Sequence, residues 1–592
     1  MLSLVLVLLA GTLLFFAGLG RLPLIEHDEG RNAEVGREML VSGDWITPHF
    51  NGLAYLDKPV VFFWMVAASL KALGVSETAA RLPSALMGLA TMLLVWWLGR
   101  RMFGPAVGLR AALVFGVSPL ALVLARTVIF DMTFAFFMTL ATAAFWLGEE
   151  KEFRQPWLDI VMFAAMGVAV ITKGFAGLLV PVGTALVYAV VCGRWRHWLR
   201  LRWGWGVAVF LAVSLPWFIA VSLRHPDFPR YALWDESVIR FTTGSARRGG
   251  GIFYYVPVFF GGFFPWSFFL LLAGWNRVRR WRELKQEARR PVLFLVVWGA
   301  WVFCFFTVSH SKLATYFLPA VVPLSLLMGM VWEDVGKEAQ TRPPDWLTAG
   351  FALLLGGGVL LAAASHSWLY TSLQVHLRRK IPADSWGLVQ PSLLYTGIIL
   401  AALGFLGRRL ASKARGRTAA IASFALAAVI VPTLVLRWYV PLDLYAQDHS
   451  SRRLAVTILA NPERDAPIYG FYYFRSSLPF YLRRPVGLVS VGWGEMNSNY
   501  QVAYQEKARS AGTENPGKGI LVTAKEFRAL AQSNQQPVLV LLPNNAVEGL
   551  WETVGRVEPL WSVADYSVWE IPPAAARPPD NTPAQVVSPF HP

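Results

Sequence analysis

Long apolar runs fill the first three quarters of the chain and predict a bundle of membrane-spanning helices. A span needs about 20 consecutive, mostly apolar residues, and residues 2–20 form the first such run. Twelve further runs bring the predicted number of spans to thirteen, and they lie at 79–99, 106–125, 130–148, 157–172, 174–192, 204–222, 253–273, 291–309, 313–332, 346–364, 391–407 and 419–436.

The apolar segment at 60–70 is too short to cross a membrane, and we expect it to lie at the interface. With this assignment and a cytoplasmic N-terminus on an uncleaved first span, the basic clusters of the chain fall in cytoplasmic loops. This is the positive-inside distribution. If 60–70 crossed the membrane instead, the same clusters would lie outside, so the charge pattern favours the interfacial helix. The clusters are 100–101, 194–202, 277–290 and 408–417.

The C-terminal part of the chain, which this topology places outside the cytoplasm, has a different pattern. Strand-like runs alternate with helical patterns there, which predicts a small α/β domain. We therefore expect an all-α polytopic membrane domain at 1–436, an extracytoplasmic α/β domain at 437–571, and a disordered Pro/Ala-rich tail at 572–592. The strand-like runs are 466–472, 519–524, 537–543 and 566–571.

Composition agrees with a membrane protein. Of the 592 residues 55% are hydrophobic and 15% are charged, and the mean hydropathy is +0.45. Soluble domains are about one quarter charged, so a soluble enzyme is excluded, and the continuous apolar runs disfavour an outer-membrane barrel. The net charge of +17 is explained by cytoplasmic loops rather than by nucleic-acid binding. Cys192 and Cys304 offer neither a disulfide framework nor a CxxC metal site.

The first outer loop, 21–59, is unusually rich in charge. Asp28, Glu29 and Arg31 open a stretch that predicts an amphipathic helix on the membrane, and Asp57 and Lys58 lead into the interfacial segment. A solvated loop with a charged helix face is the alternative. A cation next to the membrane is well placed to meet a lipid phosphate.

Three more features lie at the predicted outer ends of spans. Asp131 begins an apolar span, where a carboxylate is costly unless it is functional or paired, for instance with Arg126. Lys173 separates two spans, and Lys312 and Tyr316 are predicted to share one helix face. Each lysine alone is long enough to snorkel to the headgroups. Together, outer cations oppose the positive-inside trend and indicate a bound anion.

Two carboxylates and several cations at one membrane face suit sugar transfer from a lipid phosphate. The departing phosphate needs stabilisation of its charge, and one carboxylate suffices to take a proton from a hydroxyl acceptor. No Gly-rich nucleotide loop is evident, so a lipid-linked donor is favoured over a nucleotide sugar. We also expect an apolar cavity for the lipid tail, with 254–266 as its wall or as a lipid-facing aromatic belt.

These motifs resemble the GT-C superfamily of polyprenyl-phosphate-sugar glycosyltransferases, in particular bacterial aminoarabinose lipid A transferases and their protein O-mannosyltransferase relatives. The resemblance covers about residues 1–440. It implies a bundle of about thirteen spans with juxtamembrane helices and a soluble C-terminal domain. The matching motifs are Asp28-Glu29-x-Arg31, Arg37-Glu38-Met39-Leu40 with Gly43-Asp44-Trp45, Asp57-Lys58-Pro59, Asp131, Thr172-Lys173-Gly174 and Ser311-Lys312-x-x-x-Tyr316.

The resemblance also implies roles for single residues. Asp28 is expected to be the catalytic carboxylate and Asp131 a second acid. Glu29 and Asp57 are expected to support them. The residues expected to bind the donor phosphate are Arg31, Lys58, Lys173, Lys312 and Tyr316.

The chain departs from the family pattern at three positions. Asp57 replaces a glutamate, Ser237 a histidine and Asn32 a tyrosine. Because of the first two changes, it stays open whether Asp57 binds a divalent metal ion together with His27 or His49. All three changes argue against assigning aminoarabinose as the donor sugar.

The implied activity is inverting transfer of a monosaccharide from undecaprenyl phosphate to an extracytoplasmic acceptor in the bacterial inner membrane. Lipid A or lipopolysaccharide is the expected acceptor. A protein or glycan O-glycosyltransferase is the alternative within the enzyme class, and a lipid or sugar flippase is the alternative outside it. Membrane lipids are expected to surround the helical bundle.

Overall fold

The computed structural model describes residues 1–243, 250–279, 286–338, 344–366, 371–372, 375, 386–413, 416–492, 494–503, 519–562 and 566–576. The chain divides into two compact units. The first comprises Met1–Phe50 and Ala54–Ser450, and the second comprises Asn51–Leu53 and Ser451–Pro592. The last long helix of the first unit, Gly416–Asp448, continues beyond residue 436.

The first unit is helical, and an apolar helix stands at every predicted span. Nine helices of the described residues are long and apolar enough to cross a membrane. The chain is therefore a multi-pass membrane protein. These helices are Glu77–Phe103, Asp131–Glu150, Pro156–Lys173, Trp203–Arg224, Gln286–Val308, Leu318–Glu338, Asp345–Ala364, Trp386–Lys413 and Gly416–Asp448.

Shorter apolar helices account for the other segments. Leu2–Phe16, Pro105–Val117 and Ala176–Val191 coincide with predicted spans, and Val61–Leu73 coincides with the predicted interfacial helix. Because these helices have 10–17 residues, length alone does not make them spans. The count of thirteen crossings and the interfacial position stay predictions.

The predicted span at 253–273 is wrong as a continuous helix. Tyr255–Gly262 and Trp266–Arg279 meet at an angle of 107°. Gly262 and Pro265 lie at the break, and glycine is a poor helix former while proline lacks the N–H that would continue the ladder. The span at 106–125 is likewise divided, because the residue before Pro119 leaves the helical region and a second helix, Pro119–Leu124, follows.

The remaining elements of the first unit lie between these helices. Asp28–Ser42 is the helix predicted in the first outer loop. The short elements are the α-helices Phe228–Arg230 and Arg240–Thr242, the π-helix Tyr231–Ile239, the 3-10 helices Trp195–Arg200 and Ala314–Phe317, and strand β1 (His49–Phe50).

Helix Asp28–Ser42 packs closely on helix Val61–Leu73. A Cβ added to Gly36 would lie 2.4 Å from Cγ1 of Val66, so only glycine permits this approach without a shift. The close packing fixes the first candidate motif, which begins at Asp28, against the segment that follows Lys58.

The second unit contains a six-stranded sheet, which confirms the predicted α/β domain. Its strands are β3 (Ile468–Phe471), β4 (Gly487–Val489), β5 (Leu521–Val522), β6 (Val538–Pro543), β7 (Pro559–Ser562) and β8 (Tyr566–Ile571). The strand order is β5-β4-β3-β6-β8-β7; the pairings among β3 to β6 are parallel, and β8 pairs antiparallel with both β6 and β7. The parallel strands are buried on both faces, and such strands read as continuous apolar runs.

Helices connect these strands, and the first outer loop contributes to the same unit. Asn51 donates to the carbonyl of Val486 at 2.7 Å and accepts from its N–H at 2.8 Å. Strand β2 (Leu53–Ala54) follows Asn51. The α-helices of the second unit are Arg452–Ala460, Leu478–Leu482, Ala524–Ser533 and Val547–Val554, and its 3-10 helices are Gly494–Met496, Asn544–Ala546 and Ala574–Ala576.

Removing the cap of helix Ala524–Ser533 is expected to destabilise it locally. Thr523 accepts from the N–H of Glu526, and Glu526 accepts from the N–H of Thr523, which forms a capping box. Thr523→Ala should cost about 1 kcal/mol, seen as faster amide hydrogen exchange over 524–533. Ser533→Ala, at the other end of the same helix, is the matched control and should leave exchange unchanged; equal protection in both variants would contradict the role of the cap.

Candidate active site

A cavity of about 580 Å³ lies within the first unit. Most of its wall is apolar or aromatic, and its charged residues come from three separate segments of the chain. The charged residues are Asp57, Lys58, Lys173, Glu236 and Arg240, and the aromatic ones are Phe134, Phe175, Phe218, Phe228, Phe305, Phe306 and Tyr316. Three predicted phosphate-binding residues, Lys58, Lys173 and Tyr316, therefore share one cavity.

The cations Lys58 and Arg240 meet at one carboxylate. Oε1 of Glu236 accepts from Nζ of Lys58 and from Nη1 of Arg240. Lys58 also donates to the carbonyl of Asp57 at 2.8 Å, and Nε of Arg240 lies 3.5 Å from Oγ of Ser311. Burial alone would lower the pKa of Arg240, but Glu236 and nearby phenols outweigh it and raise that pKa, so the guanidinium stays charged.

Lys173 forms a second cationic position. Its Nζ pairs with Oδ1 of Asp131, the first residue of helix Asp131–Glu150. The ammonium lies 4.4 Å from the ring centre of Tyr316 and 5.2 Å and 5.4 Å from those of Phe130 and Phe134. Aromatic faces attract a cation, and a carboxylate in the first turn of a helix is stabilised by the helix dipole.

The alternative partner considered for Asp131 is wrong. Arg126 donates to the carbonyls of Leu14 and Ala17, each at 2.8 Å. Five residues separate Arg126 from Asp131 in sequence, but a turn between two helices directs the guanidinium toward the end of the first helix.

Asp28 and Arg31 form an ion pair in the first turn of helix Asp28–Ser42. The Asp28 side chain is 56% exposed, whereas that of Arg31 is 7% exposed. Neither residue is part of the cavity wall. The guanidinium of Arg31 lies 5.6 Å from the ring centre of buried Tyr55. Burial and the charges of Asp57, Asp28 and Glu236 raise the pKa of Tyr55, although Arg31 lowers it, so this phenol stays neutral.

Glu29 holds the start of this helix in place. Its carboxylate accepts from two nitrogens of Arg81, both at 2.8 Å, and from the N–H of Val128 at 2.9 Å. Arg81 also donates to the carbonyls of Leu19, Leu22 and Pro23. The predicted supporting role of Glu29 thus corresponds to a buried structural network.

The prediction of an amphipathic surface helix at Asp28–Ser42 needs correction. Residues 29–39 are all buried, including its charged residues. Glu34 and Arg37 form a two-bond pair at 2.6 and 2.7 Å. The periodicity of charge that suggested a solvated face instead reflects ion pairs within the fold.

Lys312 does not share an α-helical face with Tyr316, contrary to prediction. The helix begins only at Ala314, as a 3-10 helix, and Nζ of Lys312 donates to the carbonyl of Ser309. Lys312 is buried and lies outside the cavity wall. The stretch 254–266 also does not line the cavity, because Tyr255, Phe263 and Trp266 are fully buried in the helical core.

The sequence matches characterised families along most of its length. The profile of the dolichyl-phosphate-mannose-protein mannosyltransferase family matches residues 57–219. An undecaprenyl phosphate-alpha-4-amino-4-deoxy-L-arabinose arabinosyl transferase of Edwardsiella ictaluri is 35% identical over 347 residues, which are 58% of this chain and 61% of the relative. Its counterpart in Pseudomonas fluorescens is 29% identical over 540 residues, 89% of this chain and 93% of the relative.

A solved structure extends the match to both units. The crystal structure of ArnT from Cupriavidus metallidurans bound to undecaprenyl phosphate matches this chain with a TM-score of 0.79 and 26% identity. The match covers 97% of this chain and 99% of the ArnT chain. The chain is an aminoarabinose-transferase-like member of the GT-C superfamily. The helical membrane bundle and the α/β C-terminal unit expected from the resemblance are confirmed, while the number of spans stays a prediction.

The donor atoms of this GT-C protein do not fit a divalent metal at Asp57. Oδ1 of Asp57 accepts from the hydroxyl of Tyr231, and Oγ of Ser237 donates to the carbonyl of Ala232 at 2.6 Å. Within the described ranges, no group of three or more His, Cys, Asp and Glu side chains could hold a metal ion. The positive charge of neighbouring Lys58 is also unfavourable for a metal ion.

Sequence reasoning missed three residues of this GT-C site. Tyr231, Glu236 and Arg240 lie on the segment that follows helix Trp203–Arg224. An acid and a base four residues apart, as at Glu236 and Arg240, commonly pair on a helix. That signal was present, but only the structure shows that the pair reaches Lys58, which is 178 residues away from Glu236.

Proposed function

We propose that this GT-C protein is an integral-membrane glycosyltransferase that moves a monosaccharide from undecaprenyl phosphate to an extracytoplasmic acceptor, with inversion at the anomeric carbon. One observation carries the proposal: a single cavity combines a long apolar wall with the cations Lys58, Lys173 and Arg240. The apolar wall suits a polyprenyl tail, and the cations suit a phosphate.

The donor side follows from the chemistry of the leaving group. As the bond between the sugar carbon and the phosphate oxygen breaks, its electron pair stays on that oxygen. Fixed positive charge stabilises this anion without a general acid. Glu236 pairs with both Lys58 and Arg240. Asp131 pairs with Lys173, whose ammonium lies 4.4 Å from the ring centre of Tyr316.

The acceptor side is assigned to Asp28. Its carboxylate is the most exposed member of the predicted site, and Arg31 orients it. A hydroxyl acceptor would transfer its proton to Asp28 while its oxygen attacks the sugar carbon from the face opposite the phosphate. A lipid A phosphate is already mostly ionised near neutral pH, so Asp28 would then orient it.

The resemblance of the motifs to bacterial aminoarabinose lipid A transferases favours lipid A as the acceptor and the inner membrane as the location. The positive-inside charge pattern supports a cytoplasmic N-terminus and a periplasmic C-terminal unit. The match of 57–219 to a protein mannosyltransferase profile favours a second candidate, transfer to a protein hydroxyl. Both acceptors therefore belong in the test.

Sugar transfer in detergent tests the proposal. Purified protein is mixed with a panel of undecaprenyl-phosphate sugars, amino and neutral, and with lipid A or a Ser/Thr peptide as acceptor. We expect product with wild type and a loss of about a hundredfold with Lys58→Ala. Lys71→Ala, which removes an exposed lysine from helix Val61–Leu73, is the matched control and should retain activity.

The result also separates the enzyme from a transporter. Detergent abolishes any gradient, so product formation requires catalysis. If no donor and acceptor pair reacts, and donor lipid still binds the folded protein, a flippase becomes the better explanation. If Lys58→Ala and Lys71→Ala are equally active, the cavity is not the donor site.

A further inference from the structure

Glu236 occupies a distinctive place among the charged residues of the cavity. One oxygen atom of its carboxylate accepts from both Lys58 and Arg240. The three side chains are partly buried, with 14% exposure for Lys58, 18% for Glu236 and 13% for Arg240. A carboxylate and two cations thus form a compact cluster at the cavity wall.

A phosphate group requires the same donors. The sugar donor is a phosphodiester with two free oxygens and a single negative charge, whereas the product, undecaprenyl phosphate, is a monoester with three free oxygens and a charge between about −1.5 and −2. Ammonium and guanidinium groups are the usual partners of both. Nζ of Lys58 and Nη1 of Arg240 are directed at Oε1 of Glu236. A phosphate that takes these two N–H groups replaces the carboxylate between them.

We propose that Glu236 is an internal competitor of the donor phosphate: it neutralises Lys58 and Arg240 until the phosphate displaces it, and so lowers the affinity for donor and for lipid product. The inference rests on the proposed function, because it assigns a role within the donor phosphate site.

The carboxylate of Glu236 has two effects on the cation cluster. Two partly buried cations without a counterion repel each other, and leaving a buried charge uncompensated is strongly destabilising. Glu236 removes that cost when no phosphate is bound. It also speeds release of undecaprenyl phosphate after transfer, since the carboxylate can return to the same two donors.

The local backbone is suited to this exchange. Glu236 lies on the π-helix Tyr231–Ile239, between the short helices Phe228–Arg230 and Arg240–Thr242. A π-helix is rare, and its occurrences are frequently at functional sites. A small adjustment of this segment withdraws the carboxylate while Arg240 stays at the cavity wall.

The test compares binding and kinetics of the full-length chain in detergent. Binding of undecaprenyl phosphate to wild type and to Glu236→Gln is measured by calorimetric titration. We expect Glu236→Gln to bind about three- to tenfold more tightly. In the transfer assay the donor KM should fall by a similar factor, while kcat stays equal or falls because product release slows.

Glu333→Gln is the matched control. It removes one carboxylate from another arginine pair, Arg110–Glu333, and so produces the same change in net charge. Its affinity for undecaprenyl phosphate should equal that of wild type. Tighter binding in both variants would show a general charge effect and would overturn the inference.

Weaker or unchanged binding in Glu236→Gln would also overturn it, because Glu236 would then position the cations for phosphate rather than compete with it. If Glu236→Gln does not fold, Glu236→Asp decides. The shorter side chain retains the charge but withdraws it, and binding should still be tighter than in wild type. Failure of wild type to bind undecaprenyl phosphate at all would instead refute the proposed function.

Discussion

Replacing Asp28 with asparagine is expected to lower the rate of sugar transfer at least about a hundredfold, the usual contribution of a general base. The amide keeps the size of the side chain but accepts no proton and carries no charge. The guanidinium of Arg31, which is 7% exposed, loses its charged partner but keeps the amide oxygen as an acceptor. The free energy of unfolding should therefore fall, but much less than when a buried cation loses every acceptor. Initial transfer rates and the melting temperature of the purified protein measure the two quantities.

The control for Asp28→Asn comes from the same outer loop. Asp44 also pairs with an arginine, Arg224 at 2.7 Å, and accepts from the N–H groups of Ile46 and Thr47. Burial would raise the pKa of Asp44, but these N–H groups and Arg224 lower it, so this carboxylate is ionised when the enzyme is assayed. Asp44→Asn should transfer sugar within about twofold of wild type. Full activity of a folded Asp28→Asn protein would refute the catalytic assignment.

The second large effect is expected at Lys173. Lys173→Met leaves Asp131, which is 3% exposed, without its cationic partner. Breaking a buried ion pair by removing one member costs about 3–5 kcal/mol. The melting temperature should therefore drop markedly, and transfer should be lost as well, because a phosphate-binding cation is removed from the cavity.

A double variant separates the structural from the functional contribution of this pair. Asp131→Asn combined with Lys173→Met removes both charges, so most of the stability should return, since no buried charge is left without a partner. Transfer should remain at least about a hundredfold below wild type. Recovery of both stability and transfer in the double variant would mean that the pair serves only the fold.

Much of the architecture was predictable from local pattern. Apolar runs of spanning length are a physical requirement of the bilayer interior, and an apolar helix was found at each of them. The shorter apolar run at 60–70 also proved helical, as Val61–Leu73. Buried parallel strands read as continuous apolar segments, which is why β3, β5 and β6 were recognised. The exposed edge strand β7 and the three-residue strand β4 were not.

The errors share one physical cause: sequence spacing does not report the direction of the backbone at a break. Glycines and a proline turn the chain by 107° between Tyr255–Gly262 and Trp266–Arg279. The helix after Lys312 starts two residues later than the spacing of Lys312 and Tyr316 implied. Asp131 pairs with Lys173, 42 residues away, rather than with nearby Arg126.

By itself, the sequence determined the class of protein, the positions of the apolar helices, the α/β character of the C-terminal unit and the cations Lys58 and Lys173. These follow from composition and from charge that is costly at a membrane. Only the tertiary structure decided which charges meet: Glu236 with Lys58 and Arg240, Glu29 with Arg81, and Asp131 with Lys173. Ion pairing depends on distances of a few ångströms between segments far apart in the chain, and that information arises only when the helices pack.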